Sequence, residues 1–504
     1  MSSMTAAAHV GAPARLGPAM AALMALGVLL PCLGLPGRWL WLDELLSVNF
    51  AAHGPWATLI TVLRFDVHPP LYYLQLSLWM LAGQGDAWLM ANSIFWHVAA
   101  IGLLTFGAAR LHGMRVGLAA GLLLALSPAA LAYADQVRMY AFLIFLIVWV
   151  WYAQARWLEG TGGRLGALWM VLSQVAVTSS HTAGLLMLSG CVVLGAATVL
   201  RDGRRALILR WLLIEAAVAL LSLPSVVIGM VRGVTHLRAP GIEDVLGTWG
   251  FLSGSGGSAL GPVAVVLGLA VLAGLVLGCL RDRRLILPVL TLIVLPMLLA
   301  AAMSHLARPL WIERIFVTVI PFICLCLART ALEGVAVGPR TGGAAVLALA
   351  AVWGAVGISA QLVQPKTVDG FRPAALAVQE KARSGDVVLV DSDFSYWCFM
   401  WYFAGPQWGQ PRHAFILSPE WERLMRRLDS SLPSVLGLND SDTRREVGGV
   451  TVVLWDRRQP PPVGNGDVFL LRGPQAEPAA LPGLRLGEST RLVQLTLERW
   501  VPVP

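Results

Sequence analysis

Long apolar runs separated by short, arginine-bearing breaks dominate the first 365 residues. A helix needs about 20 apolar residues to cross a bilayer core. Runs of that order fall at about 16–35, 88–109, 116–134, 138–157, 165–180, 182–200, 211–230, 261–279, 285–303, 311–329 and 342–361. The pattern predicts an α-helical polytopic membrane protein with about eleven membrane-spanning helices. The run from Pro69 to Gly83 is short and contains Gln75 and Ser77. If it lies flat on the membrane, Arg110/Arg115, Arg156/Arg164, Arg201/Arg204/Arg205/Arg210, Arg281/Arg283/Arg284 and Arg329/Arg340 all fall on the cytoplasmic side, as the positive-inside rule requires. An interfacial helix is therefore expected there, with the N-terminus inside and the C-terminus outside.

The first outer loop, 36–87, is expected to hug the membrane. Its segment from Trp56 to Phe65 places Trp56, Leu59, Ile60 and Leu63 on one helical face and Thr58, Thr61 and Arg64 away from it. Gly54-Pro55 separates this helix from a preceding short one over Glu44 to Ala52. After Gln361 the charged residues and prolines become common, and strand-like segments occur at 387–390, 450–454, 468–471 and 492–497, with helical patterns at 372–383 and 419–429. These predict a small C-terminal α/β domain over 362–504, outside the cytoplasm, following a membrane domain over 16–361. Residues 1–15 are expected to be a disordered cytoplasmic tail. The apolar segment after them is long and followed by Gly37-Arg38-Trp39 instead of a small-residue cleavage site, so it is expected to stay as the first span.

Composition sharpens this picture. The chain is 57% hydrophobic and 13% charged, against about a quarter charged in soluble domains, which disfavours a soluble enzyme. The net charge of +8 is carried largely by arginines between spans, with no basic arm, so no nucleic-acid partner is expected. Five of the six cysteines lie in apolar stretches, so neither a disulfide framework nor a metal knuckle is expected. The run Ser253 to Ser258 lacks the Lys and Ser/Thr of a P-loop, and Gln459-Pro460-Pro461-Pro462 suggests a stiff loop.

Candidate chemistry lies in the breaks on the outer side. Asp43 and Glu44 follow the first span directly. Adjacent carboxylates in a partly dry site suit a general base, and Asp43 equally suits a helix N-terminus. His68 precedes Pro69-Pro70-Leu71-Tyr72-Tyr73, where the prolines suit a helix start and the tyrosines an aromatic belt. Asp135 and Arg138 sit three positions apart beside Tyr140 where the chain re-enters the membrane, either as a helix-locking ion pair or as functional charges. His181 marks the turn between the fifth and sixth spans, and Arg314 opens the tenth. Acids, arginines and histidines at head-group depth suggest a site that activates an acceptor and holds an anionic, lipid-linked leaving group.

In that order, Asp43-Glu44, His68-Pro-Pro-Leu-Tyr-Tyr, Arg138-Met-Tyr, His181 and Arg314-Ile-Phe-Val-Thr-Val-Ile-Pro resemble the GT-C glycosyltransferases. The group in question contains protein O-mannosyltransferases and lipid A aminoarabinose transferases. The resemblance implies a GT-C-like fold and an inverting transferase in the cytoplasmic membrane. Its donor would be a polyprenyl-phosphate-linked sugar and its acceptor a lipid, glycan or protein. Asp43 would be the base, with Glu44 assisting. Arg138 and Arg314 would neutralise the leaving phosphate, and His68, Asp135, Tyr140 and His181 would line the substrate site. Members often carry Glu where this chain has Gln136, preceded by Asp135. No required metal or other cofactor is expected. The main rival is a transporter or flippase of a lipid-linked sugar, which should place substrate groups near the midplane and often shows repeated halves.

Overall fold

The computed structural model describes residues 13–160, 163–231, 237–255, 261–333, 339–363, 369–406, 408, 444–457, 460–462, 464–473 and 480–503. The expected tail (mostly residues 1–12), the 419–429 helix and parts of the 253–258 and 459–462 loops lie outside them. In chain order the helices are α1 (Pro13–Cys32), α2 (Leu42–Ala51), α3 (Pro55–Phe65), α4 (Leu71–Met80), α5 (Asp86–His112), α6 (Met114–Leu126), α7 (Pro128–Leu131), α8 (Tyr140–Leu158), α9 (Gly163–Thr178) and α10 (Gly184–Asp202). They continue as α11 (Arg205–Val231), α12 (Ile242–Leu252), α13 (Pro262–Arg281), α14 (Ile286–Pro288), α15 (Leu295–Leu306), α16 (Ile320–Glu333), α17 (Pro339–Val363), α18 (Phe371–Lys381) and α19 (Asp393–Phe403). Contacts divide the chain into two compact units, Met1–Leu35 with Met90–Gln364, and Pro36–Leu89 with Pro365–Pro504.

The first unit is a helical bundle. Among the described residues, eight helical segments are long and apolar enough to cross a membrane, and Leu16–Cys32 and Met114–Leu126 are apolar but shorter. The segment Arg283–Leu306 is not one regular α-helix: Val289–Val294 forms a π-turn between Pro288 and Pro296. Pro296 has no N–H for the preceding turn, and the π-turn supplies the wider geometry that such a break demands. Gly190 of α10 lies against this turn, and a Cβ there would come within 2.4 Å of the Thr291 carbonyl.

The second unit joins the short helices of the first outer loop to a sheet. Its strands are β1 (Val387–Val390), β2 (Arg444–Val447), β3 (Val450–Leu454), β4 (Val468–Arg472), β5 (Leu484–Leu492) and β6 (Leu495–Pro502). They run in the order β2-β3-β1-β4-β6-β5. The central strand β1 pairs parallel with both β3 and β4, as its apolar Val-Val-Leu-Val sequence, buried on both faces, requires. The expected strand over 492–497 is instead a hairpin. Leu492 pairs with Leu495, and Val493 turns with φ 54°.

The loop helices confirm part of the pattern and correct another part. In α3 the polar Thr58 and Thr61 are buried, whereas Trp56 and Leu63 are exposed, so the apolar stripe faces outward, as on a helix that lies on a membrane. With ten residues, α4 reaches about 15 Å, half a bilayer core. Tyr72 and Tyr73 are not belt aromatics, since both are fully buried. Tyr73 packs edge-on against Phe50 at 5.6 Å.

Candidate functional site

Three predicted residues belong to the second unit. The chain enters α2 through Trp41, whose N–H donates to Glu44 Oε2 at 3.0 Å. The other oxygen of Glu44 accepts from the Arg38 guanidinium at 2.6 Å. Glu44 is completely buried, so its carboxylate is committed to closing the helix start and to an ion pair, the arrangement that a buried charge requires. Asp43 sits one residue earlier, in the first turn of α2, and is half-buried. His68, also half-buried, lies in the bend before α4.

Sequence reasoning missed the residues that hold this entry in place. Asp369 Oδ2 accepts the Leu42 N–H at 2.6 Å, and the Tyr402 hydroxyl accepts the Leu40 N–H at 3.0 Å while donating to Asp86 Oδ2 at 3.1 Å. Arg372 reaches the same Asp86 oxygen at 3.2 Å and lies over the Trp39 ring at 5.3 Å. Burial pushes the Asp369 carboxyl above its usual range, opposed by the Leu42 N–H and reinforced by the negative charges of Asp43 and Glu44. Three acids thus surround the N-terminus of α2, where the helix dipole favours negative charge. The Cys398 thiol is buried nearby, and desolvation, with Asp369 and Asp43, raises its pKa well above the ordinary value, which makes it unreactive. No local sequence signal marks Asp369 or Tyr402, because their partners are 327 and 362 residues away.

Five predicted residues belong to the first unit. The turn between α7 and α8 is tied by Gln136, whose carbonyl accepts from the Arg138 N–H at 2.7 Å and from the Ser93 hydroxyl, and whose amide reaches the Ala132 carbonyl at 2.8 Å. This knot holds Asp135 and Arg138 in buried positions. His181, in the turn between α9 and α10, lies close enough to Arg138 and Arg314 for both to act on it electrostatically. Its ring is 6.4 Å from that of Tyr140, which is 4.8 Å from Tyr133. Tyr133 in turn senses Glu313 and Arg314, at the start of the 3-10 segment Glu313–Val319. The fold therefore gathers Arg138, Tyr140, His181 and Arg314, from three separate connections, into one cluster. Asp135 is placed toward Cys32.

The state of His181 follows from these neighbours. Burial, with Arg138 and Arg314, lowers its pKa to about 3, so the ring stays neutral at physiological pH. Its Nδ1 accepts the Ala183 N–H at 2.9 Å, which leaves the proton on Nε2, a neutral donor in the field of two guanidiniums. Such a set has the chemistry to receive a phosphate: two cations for charge and an N–H for direction.

No protein-family model matches the chain, and no curated protein does either. Among solved structures, ArnT from Cupriavidus metallidurans in the apo state aligns with a TM-score of 0.58 at 12% identity, over 96% of this chain and 98% of that one. The same protein bound to undecaprenyl phosphate aligns with a TM-score of 0.58 at 13% identity, over 95% and 97%. The archaeal oligosaccharyltransferase AglB from Archaeoglobus fulgidus, in complex with an inhibitory peptide and a dolichol-phosphate, aligns with a TM-score of 0.50 at 12% identity, over 76% of this chain and 63% of that one. At such identities the likeness is one of fold, and with ArnT it runs almost end to end. The helical architecture with a C-terminal sheet, expected from the sequence, is observed, and its fold is like that of ArnT.

Proposed function

We propose that the chain is an inverting glycosyltransferase that moves a sugar from a polyprenyl-phosphate donor to a lipid, glycan or protein acceptor outside the cytoplasmic membrane. The observation that carries this reading is the Arg138, His181 and Arg314 cluster, in a chain whose fold matches, almost end to end, a membrane protein that binds undecaprenyl phosphate. Asp43 takes the proton of the acceptor hydroxyl. The hydroxyl oxygen forms a bond to the anomeric carbon as the bond to the phosphate oxygen breaks, and the electron pair leaves on the phosphate. Arg138 and Arg314 stabilise that charge, where a guanidinium fork suits phosphate. His181 donates from Nε2, while Asp135, Tyr140 and His68 line the sugar and phosphate path. Glu44 acts indirectly, by fixing the helix turn that carries Asp43. Transfer needs no divalent metal, and activity is expected to survive chelation.

The test is sugar transfer in proteoliposomes from a panel of polyprenyl-phosphate sugars, comparing the wild type with Asp43→Asn. A general base contributes about 10²–10⁴-fold, so the variant should lose activity by that order with binding of the donor retained. If neither protein transfers any sugar while both carry labelled lipid across the bilayer, the chain is a flippase instead.

A further inference from the structure

At the end of the first unit where α6 and α17 begin, a cleft of about 680 Å³ opens among α1, α6, α16 and α17. Its walls are apolar: Leu23, Leu118, Leu122 and Leu347 among them. Two charged side chains line it, Arg115 and Arg340. Each stands in the first turn of its helix, and neither first turn contains an acid. A cation there opposes the helix dipole, so both guanidiniums occupy positions that an anion would relieve.

The neighbouring acids are engaged elsewhere. Glu333 accepts from Arg329 at 2.8 Å and faces His112 at 3.4 Å, and Asp282 lies 3.8 Å from Arg329. Among the described residues, neither Arg115 nor Arg340 has an acidic partner. The backbone forms a tight floor beside Leu332: α17 approaches α16 so closely that a Cβ at Gly342 would fall 1.8 Å from the Ala331 carbonyl. This end is remote from the cluster around His181. Both α6 and α17 start here, while their far ends adjoin the turn before Arg138, where Gln361 donates to the Leu131 carbonyl at 3.0 Å.

We propose that this cleft binds an anionic glycerophospholipid, its headgroup phosphate held by Arg115 and Arg340 and an acyl chain along the leucine-lined wall. The volume lies within the range of about 300–1,000 Å³ that ligand sites occupy. Basic pockets between membrane helices at head-group depth suit such lipids, each cation near the surface adding about a factor of five in affinity. The site is independent of the transfer reaction and stands whether or not that reading does.

The experiment is native mass spectrometry of the purified full-length protein titrated with phosphatidylglycerol, with phosphatidylethanolamine as the zwitterionic control and undecaprenyl phosphate as competitor. The wild type should retain one phosphatidylglycerol in preference to phosphatidylethanolamine. An Arg115→Ala, Arg340→Ala double variant should lower that affinity by about 25-fold. Arg283→Ala with Arg284→Ala, which removes two exposed arginines outside the cleft, should leave it unchanged. Leu347→Trp keeps both cations and fills the cleft at an exposed position, and it should lose binding as well. The proposal is overturned by equal retention of the two phospholipids, by an undiminished double variant, or by undecaprenyl phosphate displacing phosphatidylglycerol.

Discussion

Asp43 and Glu44 are neighbours in sequence with unlike surroundings, and on the proposed function this assigns the reaction to Asp43 and its support to Glu44. Glu44 is sealed against Arg38 and the Trp41 N–H, so Glu44→Gln removes the negative half of a buried ion pair. Breaking such a buried pair costs about 3 kcal/mol, and the variant should unfold at lower temperature in a thermal melt, whereas Asp43→Asn, at a half-buried position, should melt close to the wild type. Asp369 adds a pH dependence whose sign is set by its surroundings. Its folded pKa is raised, chiefly by burial, so its contribution to stability is full below the unfolded value of about 3.9 and is lost as pH rises through the raised folded value. Asp369→Asn still accepts the Leu42 N–H but carries no charge, and its melting temperature should stay flatter than that of the wild type across this interval. The acids of the motif were legible because they are adjacent and follow a span. Asp369 was not, since its role depends on a hydrogen bond across 327 residues.

Among the elements, periodicity was a good guide where one face meets one medium, and it failed where both faces are buried. The stripe on α3 was read from sequence and is the face left exposed. Helix α19 was not foreseen, because Tyr396 through Met400 are all buried and such a run has no polar side to reveal its period. The β5–β6 hairpin was taken as one strand because its turn carries none of the usual residues. Val493 occupies its first central position with φ 54°, where a primed turn prefers glycine. A β-branched residue held there costs about 1 kcal/mol or more. The side chain is exposed, so Val493→Gly loses no packing and should raise the denaturant midpoint of the second unit, followed by the near-ultraviolet signal of its tryptophans. An unchanged or lower midpoint would show that the turn is not strained.

On the scale of the whole molecule, the helical character of the bundle was legible in the hydropathy, but the grouping of the first outer loop with the C-terminal region was not. That grouping is made by the Leu40–Tyr402, Leu42–Asp369 and Asp86–Arg372 bonds, and no property of either stretch reports on the other. It has a consequence for orientation. Residues 36–89 and 365–504 form one compact unit, so both stretches must lie on the same side of the membrane, and the chain between them must cross it an even number of times. If each apolar run expected from the sequence between them spans, the arginine groups at 110–115, 156–164, 201–210, 281–284 and 329–340 fall on the opposite side, as the positive-inside rule favours. Alkaline phosphatase fused after Pro504, or inserted at the His181 turn, should therefore be active in intact cells, and a fusion at Gly203 should be inactive. The reverse pattern would place Asp43 and the His181 cluster on the cytoplasmic side and exclude an outer-face transferase. Activity at all three positions would mean that α10 does not span.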